Sequence, residues 1–315
     1  MTRVWRGVWA VVIGAPIAAF AVWGLQDNPR LFVITLLNGL TLASLYFIVA
    51  SGFTLVFGLM RNVNLAHGSL YLLGGYLGFF TAQVTGSWLL ALAAGFAAAA
   101  VVGLLMQVSI FRFMPGQDLR QTLVTIGLSI VIADLLMWAI GAQVHQLEPP
   151  EWLNGPIRGI PIIKAYSAYR LALIPIGVAI GVALWLFLNR TRVGMMIRAG
   201  VDDRGMLSAS GVNVNLVFAT TFAIGAGLAG LGGVIGSVEL SMAPGEDTRL
   251  LLASLIVVIV GGMGSVVGAA VGAVILGVAE TYGLAYAPTY SVVFTFVILV
   301  LVLAFRPRGI LGRPA

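Results

Sequence analysis

Cysteine is absent from all 315 residues, which excludes a disulfide framework, thiolate metal sites and cysteine nucleophiles together. Lysine occurs once, at Lys164, behind Pro161-Ile162-Ile163 rather than a glycine-rich turn. A phosphate-cradling P-loop needs a lysine after such a turn, so the chain does not hydrolyse ATP by that route. It is expected to be no enzyme and to hold no cofactor of its own. Histidine occurs only at His67 and His145, too far apart for a helical i, i+4 pair, which argues against a zinc site. No grouping of nucleophile, base and acid stands out either. Charge is scarce as well, at 9% of residues where a water-facing domain carries about a quarter.

What is abundant is apolar surface, 60% of the residues, laid out in continuous runs. A run of about 20 apolar residues spans a hydrocarbon layer of about 30 Å as a helix. A barrel would alternate polar and apolar residues instead, and no such alternation is visible. The fold class is therefore an all-α polytopic membrane protein of about ten spans (eight to ten). They are expected near 8–25, 31–59, 65–83, 88–110, 121–141, 171–189, 216–237, 250–262, 267–284 and 289–305. With the N-terminus inside, the outer gaps hold only Arg30, Arg158, Lys164, Arg170 and Arg249 of the 17 basic residues. The positive-inside rule then places both termini in the cytoplasm, with an even number of spans. The chain reads as one membrane-spanning domain over 1–315. It has an anchor helix in 1–30, a first helix group at 31–141, an outer loop at 142–170 and a second group at 171–315. The second group contains a polar inner loop at 190–215.

Glycine numbers 40, with pairs four apart such as Gly74 and Gly78, Gly232 and Gly236, and the series Gly264, Gly268, Gly272. Small residues at that spacing let helix backbones approach closely in lipid. The run 31–59 is longer than one straight span needs, and Ser51-Gly52 within it marks a place to tilt, kink or break. The loop 142–170, with four prolines, reads as a stiff cap or docking surface. In 190–215, a short helix capped by Gly211 is expected.

Ionisable groups inside apolar runs are functional candidates by default. Asp134 lies in the run 121–141 and Glu280 near the end of another. Each can meet a solute ammonium, relay a proton or bond a neighbouring helix. Asn38, Thr41 and Ser44 share one helical face and, with Tyr46, form a polar stripe leading toward Asn62, Asn64 and His67. The stripe lines a water-filled path or bonds a neighbour. The predicted pathway set is Asn38, Thr41, Ser44, Tyr46, Asn64, His67, Asp134 and Glu280.

The stretch from Asn38 to Tyr76, NGLTLASLYFIVASGFTLVFGLMRNVNLAHGSLYLLGGY, resembles the opening signature of LivH-type permeases of branched-chain amino acid ABC importers. TLVTIGLSIVIADLLMWAIG, RTRVGMMIRAGVDDRGMLSASGVN, FAIGAGLAGLGGVIG, VVIVGGMGSVVGAAVGAVILGVAET and FRPRGILG resemble later blocks of that family in the same order. The likeness covers about 31–313. It implies a subunit without its own engine. Such a subunit pairs with a second related permease and binds two cytoplasmic ATPase subunits, which hold ATP and Mg. It receives solute from a periplasmic binding protein. The resemblance assigns ATPase coupling to Arg198, Asp202, Asp203, Arg204, Leu207, Gly211 and Asn213. The outer acids Glu148, Glu151, Glu239 and Glu246 become candidates for docking the binding protein. Ala43, Ser69 and Asp134 depart from the family pattern. The implied cargo is therefore a branched-chain or hydrophobic amino acid, or a related small solute such as urea, a short amide or an aromatic acid. The competing class is an ion-coupled secondary transporter or channel using Asp134 and Glu280. A plain membrane anchor for partners is the third.

Overall fold

Where water is excluded, a chain satisfies its backbone N–H and C=O groups internally, and continuous apolar runs do so as helices. The computed structural model describes residues 18–60 and 62–312, with the backbone alone at Asp202 and Val292. Most of the expected anchor helix in 1–30 lies outside the described residues, as does the side chain of Asp202. Residues 18–27 are helical and form α1. There follow α2 (Pro29–Phe53), continued as a π-helical segment Thr54–Leu59, then α3 (His67–Thr85), α4 (Trp88–Ser109) and α5 (Asp118–Ile140). A two-stranded antiparallel hairpin, β1 (Pro156–Arg158) and β2 (Ala165–Ser167), precedes α6 (Ala168–Arg190). Then come α7 (Arg192–Asp202), α8 (Arg204–Ala209), α9 (Val214–Glu239), α10 (Glu246–Gly261), α11 (Val266–Tyr286) and α12 (Ser291–Phe305). Six of these stretches are long and apolar enough to cross a bilayer: Pro29–Leu59, Trp88–Phe113, α5, α6, α9 and α11. The helices α3 and α10 are shorter or more polar than that, and α12 contributes a shorter apolar stretch, Val293–Phe305.

Close backbone contact holds the bundle together. A Cβ on Gly74 would fall on the Cα of Gly230, and one on Gly230 would meet the Gly95 carbonyl, so α3, α4 and α9 touch main chain to main chain. Gly52 sits against the Gly225 carbonyl, and Gly261 against Gly268 across the α10–α11 turn. These contacts interleave the two halves of the chain, with α9 wedged against α2, α3 and α4 and with α11 along α2. The C-terminal residues close one helix end. The amides of Ile310 and Leu311 donate to the Val260 and Gly261 carbonyls at 2.9 Å each, satisfying acceptors that the end of α10 leaves free. Gly262, at φ 111°, makes the turn there, and Gly312 packs against it.

Candidate functional site

The longest helix does not break at Ser51-Gly52. The Ser51 and Thr54 hydroxyls bond back to the Ile48 and Ala50 carbonyls at 2.7 Å each, and the helix then widens into the π segment. Beyond Met60 the chain turns back into the bundle as a non-helical run, 62–66, before α3 begins. His67 Nε2 donates to the Val49 carbonyl at 3.0 Å. Val49 lies about ten residues before Leu59, so α3 starts about 15 Å inside that end of the bundle.

Non-helical backbone this deep needs partners, and side chains of α4 and α5 supply them. Gln121 Oε1 accepts from the Val63 amide at 3.0 Å, and Thr125 Oγ1 accepts from the Leu65 amide at 3.1 Å. Asn62 Nδ2 donates to Gln107 Oε1 at 3.4 Å. Gln121, Thr125 and Ser129 stand four apart on one face of α5, and Ser129 Oγ meets Ser69 Oγ at 2.8 Å. This i, i+4, i+8 stripe is the signal that sequence reasoning passed over. Asn64 and His67 are both fully buried, and Asn64 Nδ2 and His67 Nδ1 have no hydrogen-bond partner among the described residues. Because the carbonyl at Val49 can only accept, the donor proton sits on Nε2, and neutral His67 offers Nδ1 as an acceptor.

The Asn38–Ser44 stripe lies toward the opposite end, and its oxygens bond to protein. Asn38 Oδ1 accepts from the Tyr166 hydroxyl at 2.9 Å and from Arg170 at 3.4 Å. Thr41 Oγ1 lies 3.2 Å from the Tyr166 hydroxyl, and Ser44 bonds its own helix at Leu40 while packing on Gly177. Burial pushes the Tyr166 phenol above its usual value, so it stays a donor at neutral pH. Arg170 also pairs with Glu239 at 2.9 Å. Glu280, from α11, accepts from the Tyr46 hydroxyl at 2.7 Å and pairs with Arg249 at 3.2 Å, which also reaches Glu246 at 3.4 Å. One carboxylate thereby joins α2, α10 and α11. Glu280→Gln keeps an acceptor for Tyr46 but gives up the charge facing Arg249. It is expected to lower stability by up to about 1 kcal/mol, because Arg249 is half exposed and keeps Glu246 as a second partner. Thermal melting in detergent checks this, and an unchanged midpoint would show that Arg249 is held by solvent and Glu246 alone. Glu148 and Glu151 stand exposed in the segment between α5 and α6. Asp134 is exposed on α5, on the face that also carries Gly127, and makes no ion pair among the described residues.

At the arginine-rich end, α7 and α8 form an elbow. Of the helices, α7 segregates its apolar and polar faces most strongly. Arg198 donates to Asn189 Oδ1 at 2.8 Å. Asp203 caps α8 through the Met206 amide at 3.0 Å, and Asn213 caps α9 through the Leu216 amide at 3.2 Å. Gly211, at φ 81°, supplies the left-handed turn between them. Leu207 is buried against Gly200, and the Arg204 guanidinium lies 4.4 Å over the Phe218 ring. Burial there lowers the Arg204 pKa.

The model of the family described as the permease component of the branched-chain amino acid transport system matches residues 35–303. BraD, a high-affinity branched-chain amino acid transport system permease protein of Pseudomonas aeruginosa, is 33% identical over 89% of this chain and 95% of its own length. LivH of Salmonella typhimurium, with the same description, is 32% identical over 90% of this chain and 96% of its own. The ribose import permease protein RbsC of Escherichia coli is 28% identical over 79% and 78%. No solved structure matches the chain.

Proposed function

The chain belongs to the family of branched-chain amino acid transport system permease components, and from that membership we propose that it is one permease subunit of an ATP-driven importer for branched-chain or other hydrophobic amino acids. Together with its six long apolar helices, the membership makes it a multi-pass membrane protein. The observation that carries the reading is the family match, which runs as one block from α2 into α12. In this reading the protein sits in the inner membrane with both termini in the cytoplasm. Ten spans, α1 to α6 and α9 to α12, leave α7 and α8 as a cytoplasmic elbow. Two ATPase subunits dock on that elbow and hold the ATP and Mg, since the chain has no lysine placed for a P-loop. A second, related permease completes the pathway, and a periplasmic binding protein delivers the solute to the end bearing Glu148, Glu151, Glu239 and Glu246. Asn64 and His67, whose buried polar atoms have no partner among the described residues, are the groups offered to the solute; Asn38, Thr41, Ser44, Tyr46 and Glu280 stabilise the wall above them.

The test is reconstitution in vesicles. Leucine uptake is expected with ATP when the chain, a second permease, both ATPases and the binding protein are present, and none from the chain alone. Uptake by the purified chain alone down a proton or sodium gradient would overturn the reading. A second reading, ion-coupled transport, rests on Asp134, a carboxylate exposed in the apolar second half of α5 with no ion pair among the described residues. Asp134→Asn separates the two: ATP-driven uptake persists under the first reading, and gradient coupling disappears under the second.

A further inference from the structure

The elbow and the interrupted part of the bundle are packed as one unit. From this we propose that Arg204 is the positioning residue through which the elbow moves the π-helical segment Thr54–Leu59 and, with it, the run 62–66; the inference rests on the ATP-driven reading above. Arg204 reaches both sides of the junction. Its guanidinium lies over Phe218 of α9, and Nη2 donates to the Met60 carbonyl at 3.4 Å. Met60 is where the long helix ends, so the cation also stands at the negative end of a helix dipole. The apolar contacts run the same way. Ile197 and Leu207 of the elbow share one buried cluster with Phe218, Val56, Met60 and Ala66, so the elbow cannot tilt without disturbing the residues on either side of the run.

The π segment is the part of this unit that can yield. The Met60 amide bonds to the Leu55 carbonyl five residues back, at 3.2 Å, and the Asn62 amide to the Val56 carbonyl six back, at 3.2 Å. One surplus residue is therefore held in the helix. Winding it into α geometry turns everything beyond by about 100° and advances it along the helix axis by about 1.5 Å. Everything beyond includes Asn64 and His67, two residues whose side chains each keep a buried polar atom with no partner among the described residues. Gln121 and Thr125 tie the intervening backbone to α5 at Val63 and Leu65, so a displacement at Met60 has to be taken up between these ties and His67. Arg204 is itself partly in water at the elbow surface, where a docked ATPase can displace it without first unfolding the bundle.

The experiment uses the assembled transporter in nanodiscs, comparing the parent with Arg204→Ala and Arg204→Lys. Amide hydrogen exchange across residues 54–66 is read without nucleotide and with ATP-Mg, alongside ATPase turnover and leucine uptake. The parent is expected to change exchange in this segment on binding ATP. Arg204→Ala is expected to lose that response and about tenfold in uptake while keeping near-parental ATPase turnover, a coupling loss within the usual range. Arg204→Lys keeps a cation for the Met60 carbonyl and is expected to recover part of both. Phe218→Leu removes the ring beneath the guanidinium but leaves the site apolar; its effect is expected to point the same way and to add little to that of Arg204→Ala. A nucleotide response at 54–66 in Arg204→Ala equal to the parent's, or near-parental uptake by that variant, overturns the assignment. Absence of ATP-driven uptake in the parent removes the permease reading and this inference with it.

Discussion

Gly74→Val is expected to leave almost no folded protein in the membrane. The position has no room to give, because the added Cβ would overlap the Cα, carbonyl carbon and carbonyl oxygen of Gly230. These are main-chain atoms of α9, and α9 is also in backbone contact with Gly95 of α4, at the same place, and with Gly52 of α2. Overpacking where side chains can rearrange costs about 1–3 kcal/mol. Here three helices would have to separate, so the cost exceeds that range and consumes much of the 5–15 kcal/mol that keeps a protein folded. Gly127→Val is the matched control, since nothing lies within 4 Å of a Cβ at that position of α5. Size-exclusion chromatography in mild detergent should show Gly127→Val at the parental position and Gly74→Val lost to aggregate. Equal recovery of the two would show that the α3–α9 contact is looser than the backbone geometry indicates.

Gln121→Leu is expected to have the second largest effect, through groups left unbonded rather than through volume. The fully buried amide of Gln121 does two things. Oε1 accepts from Val63, and Nε2 donates to the Met114 carbonyl at 2.7 Å. Leucine fills nearly the same space and satisfies neither, leaving the part-buried Val63 amide unbonded at roughly 1–3 kcal/mol, while the Met114 carbonyl keeps the Gln117 amide at 3.3 Å. The run 62–66 would lose one of the two side chains of α5 that fix it, so uptake should fall together with melting temperature. Gln121→Glu restores the acceptor for Val63 but not the donor for Met114, and should lie between. A Gln121→Leu protein that melts and transports like the parent would mean that water reaches Val63, and that the run is not sealed inside the bundle.

Much of the architecture was legible in the chain. Spans expected at 88–110, 171–189 and 216–237 correspond to α4, α6 and α9 with ends differing by a few residues. That agreement has a simple cause: in lipid, an apolar run must bond its own backbone, and length alone then fixes the helix. Glycines four apart announced close packing for the same kind of reason, since only a missing Cβ lets two main chains touch. The resemblance carried by Asn38–Tyr76 and the later blocks led to the family in which the whole-length match places the chain.

Partner identity was not legible, because it depends on residues far apart in the chain. The Asn38–Ser44 stripe looked like one surface, yet Asn38 and Thr41 bond Tyr166 and Arg170, well over a hundred residues away, while Ser44 bonds its own helix. Glu280 looked solitary in its apolar run, yet it faces Tyr46 and Arg249. Composition and apolar run length determined, by the sequence alone, that this is an all-helical bundle with its polar segments confined to its ends and to one elbow. Only the tertiary structure decided that α3 begins partway through the bundle, behind a π segment. An extended run among helices is stable only where neighbouring helices offer hydrogen bonds at the right height, and no local pattern in 60–66 specifies that.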